Sequence, residues 1–396
     1  MAEVSTVSFE EARRVVFQEV RIAAGTEQVP LLSAAGRVIA EDAVADRDYP
    51  PVARSVRDGF AVRAADVGAP LRVIGEVRAG ESFRGHVGPG ETVEIMTGAP
   101  MPAGADAVVM VEHVAREGDR ITTDRPPKSG DNINPQASEA RAGQIVLKRG
   151  RRLSYTDIAL LGTVGRSVVS VFTKPRAAIV ATGDEIVGVG ETPREFQVRN
   201  SNAYSLAVQV ERAGGVPEML PVARDNYEST YALIEQGLRS DLLLLSGGVS
   251  AGKYDIVEKV LADFGAEFFF DRVLIQPGQP LVFGRARGTF FFGLPGNPSS
   301  TMVCFELFAR SALEALGGVS EPSLPFALAR LTEPFRHRPG LTRFLPATLH
   351  DDGLVTPIRW AGSSDVPSMS RANVFLVTDP DRESWAAGDL IRVLPK

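Results

Sequence analysis

The chain has 396 residues, too many for one ordinary hydrophobic core, so several domains are expected. Apolar residues make up 44% and charged residues 23%, which is globular composition and argues against disorder. A formal net charge of −6 gives no basic surface for nucleic acid, and the favoured partners are small molecules or other proteins.

In chain order, residues 8 to 24 read as an amphipathic helix, with Ser8 placed to cap it, Glu11 three residues on, and Val15, Val16, Val20 and Ala23 spaced for one face. The start of the chain has no basic segment followed by an apolar one, and no run of about 18 apolar residues occurs, so the expected location is cytoplasmic, away from membranes. From residue 49 to 134 short β-type runs such as Leu71-Arg72-Val73-Ile74 and Ala107-Val108-Val109-Met110-Val111 alternate with glycines, which predicts a β-rich domain. Ser154 to Leu161 reads as a helix.

Residues 173 to 320 carry the clearest pattern, a mainly parallel sheet covered on both faces by helices. Ala177-Ala178-Ile179-Val180 and Asp241-Leu242-Leu243-Leu244-Leu245 are buried strands, Thr289-Phe290-Phe291-Phe292 is a third, and Met219 to Ala223 a short fourth. Helices fall at about 202 to 213, 227 to 239, 256 to 264 and from Pro298 to about 316. Prolines 322, 325, 334 and 339 then lead into an all-β end of the chain, residues 321 to 396. Cys304, the one cysteine, excludes an internal disulfide and reads as a buried structural thiol.

Ligands of an open parallel sheet bind beyond the carboxyl ends of its strands. Ser246-Gly247-Gly248-Val249-Ser250-Ala251-Gly252 lies there and leads into a helix, so its backbone N–H groups suit a phosphate; a tight turn that needs glycine is the alternative. Asp184, Glu185, Asp225 and Asp255 fall at the same edge and suggest magnesium, which takes one or two carboxylates together with substrate phosphates, although each alone also fits a cap or a solvated turn. Four scattered histidines give no paired metal spacing and no histidine-based triad, and neither a Walker-type nor a Rossmann-type glycine motif occurs.

Thr182-Gly183-Asp184-Glu185, Ser246-Gly247-Gly248-Val249-Ser250, Asp255, Gln276-Pro277-Gly278-Gln279-Pro280 and Gly293-Leu294-Pro295-Gly296-Asn297-Pro298 together resemble the molybdopterin molybdenumtransferase family, which includes MoeA-type insertases and the gephyrin E domain. Arg57-Asp58-Gly59-Phe60-Ala61-Val62 and Met96-Thr97-Gly98-Ala99-Pro100 extend the likeness to the first half of the chain. The resemblance implies four parts: a discontinuous domain of residues 1–48 and 135–172, an inserted β-rich domain of 49–134, a molybdopterin-binding α/β domain of 173–320, and a β-barrel-like domain of 321–396. It also implies a homodimer that takes adenylylated molybdopterin and molybdate with magnesium and releases AMP, in contact with other proteins of molybdenum cofactor biosynthesis.

By position, the resemblance assigns catalytic roles to Asp58, Thr97, Glu185, Asp225 and Asp255, and metal binding to Asp184, Glu185, Asp225 and Asp255. Thr182, Gly183, Ser246, Gly247, Gly248, Ser250, Gln276, Gln279, Pro295, Gly296, Asn297 and Ser363 would hold the pterin nucleotide, with Ser364 beside Ser363 a further candidate. This chain departs from the family pattern in three places. Glutamines stand at 276 and 279 where lysines are common, Glu139 stands where an aspartate is common, and Arg54 and Arg57 add two cations before Gly59 that offer compensation for the lost lysines. A non-catalytic pterin-binding scaffold, a molybdopterin adenylyltransferase and a tungstate-specific paralogue are the competing readings.

Overall fold

The computed structural model describes residues 6–248 and 256–396. The chain forms two compact units: residues 42–148 with 155–167, and residues 1–41 with 149–154 and 168–396.

The first helix of the larger unit, α1 (Phe9–Glu19), is shorter than its apolar spacing predicts. The Ser8 hydroxyl caps it by accepting from the Glu11 N–H at 3.2 Å, while Val20 is already extended. In the smaller unit, β1 (Gly59–Val62), β2 (Leu71–Val77), β3 (Glu91–Ile95), β4 (Ala107–Met110), β5 (Val114–Glu117) and β6 (Arg120–Thr123) form a sheet in the order β4-β1-β3-β2-β6-β5. Its two faces are covered by separate apolar clusters, one around Val77, Val93 and Ile95 and one around Phe60, Leu71 and Ile121. This unit also holds α2 (Tyr155–Thr163), whose Thr163 carbonyl accepts from the Tyr49 hydroxyl at 2.7 Å.

The central sheet of the larger unit is built from β7 (Arg176–Ala181), β8 (Val216–Met219), β9 (Leu242–Ser246), β10 (Glu267–Phe270), β11 (Val282–Ala286) and β12 (Thr289–Leu294) in the order β8-β7-β9-β12-β11-β10. The first four in that order are parallel, and β11 pairs antiparallel with both β12 and β10. The predicted strand at Met219 to Ala223 lies earlier, at Val216–Met219, because Pro221 breaks the run; Ala223 keeps only a single bridge to Thr182.

Alternation along β9 decides what each helix covers. Leu242 and Leu244 pack with α1, α3 (Ser201–Arg212) and the segment 298–316, while Leu243 and Leu245 pack with α4 (Tyr227–Gly237) and α5 (Ile256–Asp263). All four leucines are fully buried, each contributing roughly 1.5–3 kcal/mol. The predicted single helix after Pro298 is three pieces: α6 (Pro298–Cys304), a π-helical turn (Phe305–Ala309) and α7 (Arg310–Leu316). Phe305, Leu307, Phe308 and Ala309 are all buried there, while Glu306 pairs with Arg310 at 3.3 Å, and Phe308 meets Phe9 edge-on at 5.9 Å.

The last stretch forms a closed five-stranded barrel from β13 (Ala327–Leu331), β14 (Thr342–Leu349), β15 (Leu354–Pro357), β16 (Val374–Val377) and β17 (Leu390–Pro395), with α8 (Val366–Arg371) between β15 and β16. Closure comes from β14, which pairs with both β15 and β16. A short strand, Ile275–Gln276, adds to the outside of β14 and puts Gln276 opposite Arg343.

Candidate functional site

The carboxyl ends of β7, β9 and β12 open into a cleft of about 670 Å³. Thr182 and Glu185 follow β7, Ser246, Gly247 and Gly248 end β9, and Pro295, Gly296 and Asn297 follow β12, so three predicted loops line one cavity. Left-handed backbone at Gly247 (φ +94°) and Gly248 (φ +67°) folds that turn tightly over Thr182, where a side chain on either glycine would strike the Thr182 backbone or hydroxyl. Ser250 and Asp255 lie outside the described residues.

Asp184 and Asp225 are not among the cleft-lining residues, but they meet beside Glu185. The Asp184 N–H donates to Asp225 Oδ2 at 3.2 Å and the Asp225 N–H donates to Asp184 Oδ1 at 3.3 Å. Each carboxylate keeps one oxygen outside this exchange. An all-oxygen pair of this kind fits magnesium, which takes one or two carboxylates alongside phosphate oxygens. Among the described residues no group of three or more His, Cys, Asp or Glu side chains converges as a complete metal cage.

The barrel contributes through the turn between β15 and α8. Asp365 accepts from the Ala361 N–H at 3.0 Å and from the Ser368 N–H at 3.0 Å, which holds the turn and caps α8 together. The Ser368 bonds, then the Ala361 N–H, hold the Asp365 carboxyl below the usual range. Ser364 lines the cleft; Ser363 instead uses its carbonyl to accept from the Ser299 N–H at 2.9 Å, fixing the turn to the start of α6.

Neither Gln276 nor Gln279 lines the cleft, although Pro280 does. Gln276 Oε1 accepts from the Arg343 guanidinium, which also donates to His337 Nδ1 at 3.1 Å. The strand register puts this arginine beside the loop where the family pattern has lysines. Burial, then the neighbouring Arg338, lowers its pKa, yet an arginine stays charged at neutral pH. Gly278 sits directly against Cys304, whose thiol donates to the Gly278 carbonyl at 3.5 Å. Full burial pushes that thiol's pKa up, as expected of a structural cysteine.

In the smaller unit, antiparallel pairing of Gly59 with Ile95 brings the residues flanking them together. Asp58 Oδ1 accepts from the Thr97 N–H at 2.6 Å and from its hydroxyl at 2.8 Å. The N–H, then the hydroxyl, hold the Asp58 carboxyl below the usual carboxylate range. A depressed pKa adds stability above the unfolded value, about 3.9, that is lost as pH falls through the folded one. Thr97→Val removes the hydroxyl and keeps the N–H, so the Asp58 carboxyl should titrate at higher pH in a carbon-detected NMR titration; an unchanged midpoint would refute the hydroxyl's part. Glu139 pairs with Arg54 at 2.6 Å and accepts from the Asn134 amide at 2.9 Å. Arg54 is therefore neutralised within its own unit, and of the two cations offered in compensation Arg57 alone makes no ion pair among the described residues.

Two residues of consequence escaped the sequence reading. Asn202, in the first turn of α3, donates its side-chain amide to the Gly296 carbonyl at 2.8 Å and reaches Ser246 Oγ at 2.9 Å and Thr301 Oγ1 at 3.2 Å, tying the β9 and β12 loops together. The polar triplet Asn200-Ser201-Asn202 at the carboxyl edge of the sheet was its signal. Arg343 had none, being one of many arginines in a strand of mixed pattern.

Fold and cleft define an α/β domain with a cleft at the carboxyl edge of its parallel strands, carried in one chain with a closed barrel and a separate β-rich unit. Family models described as MoeA N-terminal region (domain I and II), probable molybdopterin binding domain, and MoeA C-terminal region (domain IV) match residues 7–165, 178–315 and 328–396. The molybdopterin molybdenumtransferase of Bacillus subtilis (strain 168) is 35% identical over 93% of this chain and 89% of its own length. That of Staphylococcus aureus (strain Mu50 / ATCC 700699) is 32% identical over 97% and 94%. A crystal structure of the molybdopterin biosynthesis MoeA protein from Pyrococcus horikoshii OT3 is 29% identical, covers 99% of this chain and 100% of its own, and superposes with a TM-score of 0.83. The chain belongs to the MoeA family of molybdopterin molybdenumtransferases. Among the described residues no helix is long and apolar enough to cross a membrane.

Proposed function

We propose that this protein inserts molybdenum into molybdopterin, taking adenylylated molybdopterin and molybdate and releasing AMP as the phosphoanhydride is cleaved. The observation that carries the reading is the cleft beyond β7, β9 and β12, where a glycine turn, Asn202 and Ser364 meet beside the Asp184–Asp225 pair. Thr182, Gly183, Ser246, Gly247, Gly248, Pro295, Gly296 and Asn297 form or adjoin the seat for the pterin nucleotide. Asp184 and Asp225, with Glu185 beside them and Asp255, which precedes α5 in the sequence, as a further ligand, would hold magnesium whose coordination the substrate's phosphate oxygens complete. When bound, that ion supplies charge neutralisation at the phosphoanhydride.

In this reading Arg343 takes over the charge that Gln276 and Gln279 lack, and Gln276 orients it. Asp58, held ionised by Thr97, is a second catalytic carboxylate. The four-part division of the chain, magnesium dependence, homodimerisation and a cytoplasmic location belong to the same proposal.

The test is to incubate the purified protein with adenylylated molybdopterin, magnesium and molybdate and follow AMP and metal-loaded cofactor. Molybdate-dependent AMP release is expected. Without it the insertase reading fails, and tight pterin-nucleotide binding with no turnover would establish a scaffold instead. Faster turnover with tungstate than with molybdate would identify a tungstate-specific paralogue.

A further inference from the structure

Two oxygen atoms among the cleft-lining residues, Thr182 Oγ1 and Asn202 Oδ1, are buried with no hydrogen-bond partner among the described residues. Thr182 as a whole is only 6% exposed. The orientation of Asn202 is fixed by chemistry: the Gly296 carbonyl, 2.8 Å away, can only accept, so the atom facing it is the amide nitrogen. A flipped side chain would set two acceptors against each other. Oδ1 is thereby directed away from the Gly296 carbonyl as an acceptor that the described residues leave unanswered.

A phosphate ester at neutral pH offers acceptors, which cannot satisfy Asn202 Oδ1. A ring N–H or amino group can, and the Thr182 hydroxyl can serve either role. Such donors occur on both rings of a pterin nucleotide, the pterin and the adenine.

We propose that Thr182 Oγ1 and Asn202 Oδ1 form a subsite for the N–H edge of a nitrogen heterocycle, separating the ring-reading part of the cleft from its phosphate-holding part. The inference rests on the reading of this cleft as the pterin-nucleotide site and specifies which portion of the ligand these two residues meet. A Cβ on Gly248 would lie 2.8 Å from Thr182 Oγ1, so the glycine turn closes over the hydroxyl and must shift for a ring to reach it. Buried polar groups without partners are disfavoured, and a ligand donor removes that penalty only when the right ring is bound.

Thr182→Val tests this cleanly, since it keeps the side-chain shape and deletes an oxygen that bonds nothing among the described residues. Equilibrium binding is measured for molybdopterin, AMP and inorganic pyrophosphate, with thermal melting alongside. The valine variant should melt no lower than the wild type and bind pyrophosphate unchanged. It should bind one ring-bearing probe about fivefold to tenfold more weakly, the loss of a single hydrogen bond, and Thr182→Ser should restore that binding. Weakened molybdopterin identifies the ring as pterin; weakened AMP identifies it as adenine.

The proposal is overturned if the wild type binds both ring-bearing probes and the valine variant binds them equally well. An equal loss for pyrophosphate, or a lower melting temperature rescued by serine, overturns it as well. If the wild type binds neither ring-bearing probe, the reading of the cleft itself falls, and this subsite with it.

Discussion

Asp225→Asn is expected to reduce magnesium-dependent AMP release on the order of 100-fold, the scale on which a metal-binding carboxylate or its close support acts. The fold should survive, because the amide oxygen of asparagine can still accept the Asp184 N–H that Asp225 Oδ2 now takes at 3.2 Å. What disappears is one negative charge at the carboxyl edge of the sheet. Asp184→Asn should behave in the same way, since its Oδ1 accepts from the Asp225 N–H at 3.3 Å. Because the two carboxylates act on one ion, the double variant should lose little more than either single one. The measurement is AMP release across a magnesium titration, with a thermal melt on each variant. A lowered melting temperature with unchanged turnover per folded molecule would make the pair a structural clasp, and additive losses in the double variant would show that the two acids do not share a ligand.

Much of this arrangement was legible in the sequence because burial writes itself into strand composition. Leu242-Leu243-Leu244-Leu245 is apolar at every position since both faces of β9 are covered, and the loops after such strands are where a ligand of a parallel sheet must sit. The clustering of Thr182, Glu185, Ser246 and Pro295 follows from that topology alone. What the sequence withheld depended on register and on packing. Asp58 and Thr97 are 39 positions apart, and only the pairing of Gly59 with Ile95 makes them neighbours. Arg343 reaches Gln276 through a two-residue parallel pairing that has no sequence signature. Asn202 was signalled only by the polar triplet Asn200-Ser201-Asn202, in which Asn200 already supplies the cap of α3, and nothing local marks its contacts to Gly296, Ser246 and Thr301. The π-helical turn at 305–309 likewise has no local signature, since Glu306, Arg310 and Glu314 keep an ordinary helical spacing through it.

Gly59→Ala should be the most damaging small substitution in the smaller unit, costing at least about 3 kcal/mol, the upper end for forcing extra volume into a packed site. A methyl group there would overlap the Val109 carbonyl oxygen and stand 2.9 Å from its carbon and 3.0 Å from Met110 Cα. All three are backbone atoms of β4, which pairs with β1 through Gly59 and Met110, so no rotamer change relieves the clash. Relief requires the strands to part, and parting them also displaces Asp58 from Thr97, because the same residue sets the register toward Ile95 on the other side. Loss of stability and loss of the Asp58 site should therefore appear together. Hydrogen exchange should show β4 amides opening far more readily than in the wild type, and the Asp58 carboxyl should titrate closer to its ordinary value. Gly190→Ala supplies the control, since nothing lies within 4 Å of an added Cβ and its φ is not positive, and it should stay within about 0.5 kcal/mol of the wild type. A Gly59→Ala protein as stable as that control would mean that the β1–β4 backbone approach is looser than the structure draws it, and the positioning of Asp58 would then need another cause.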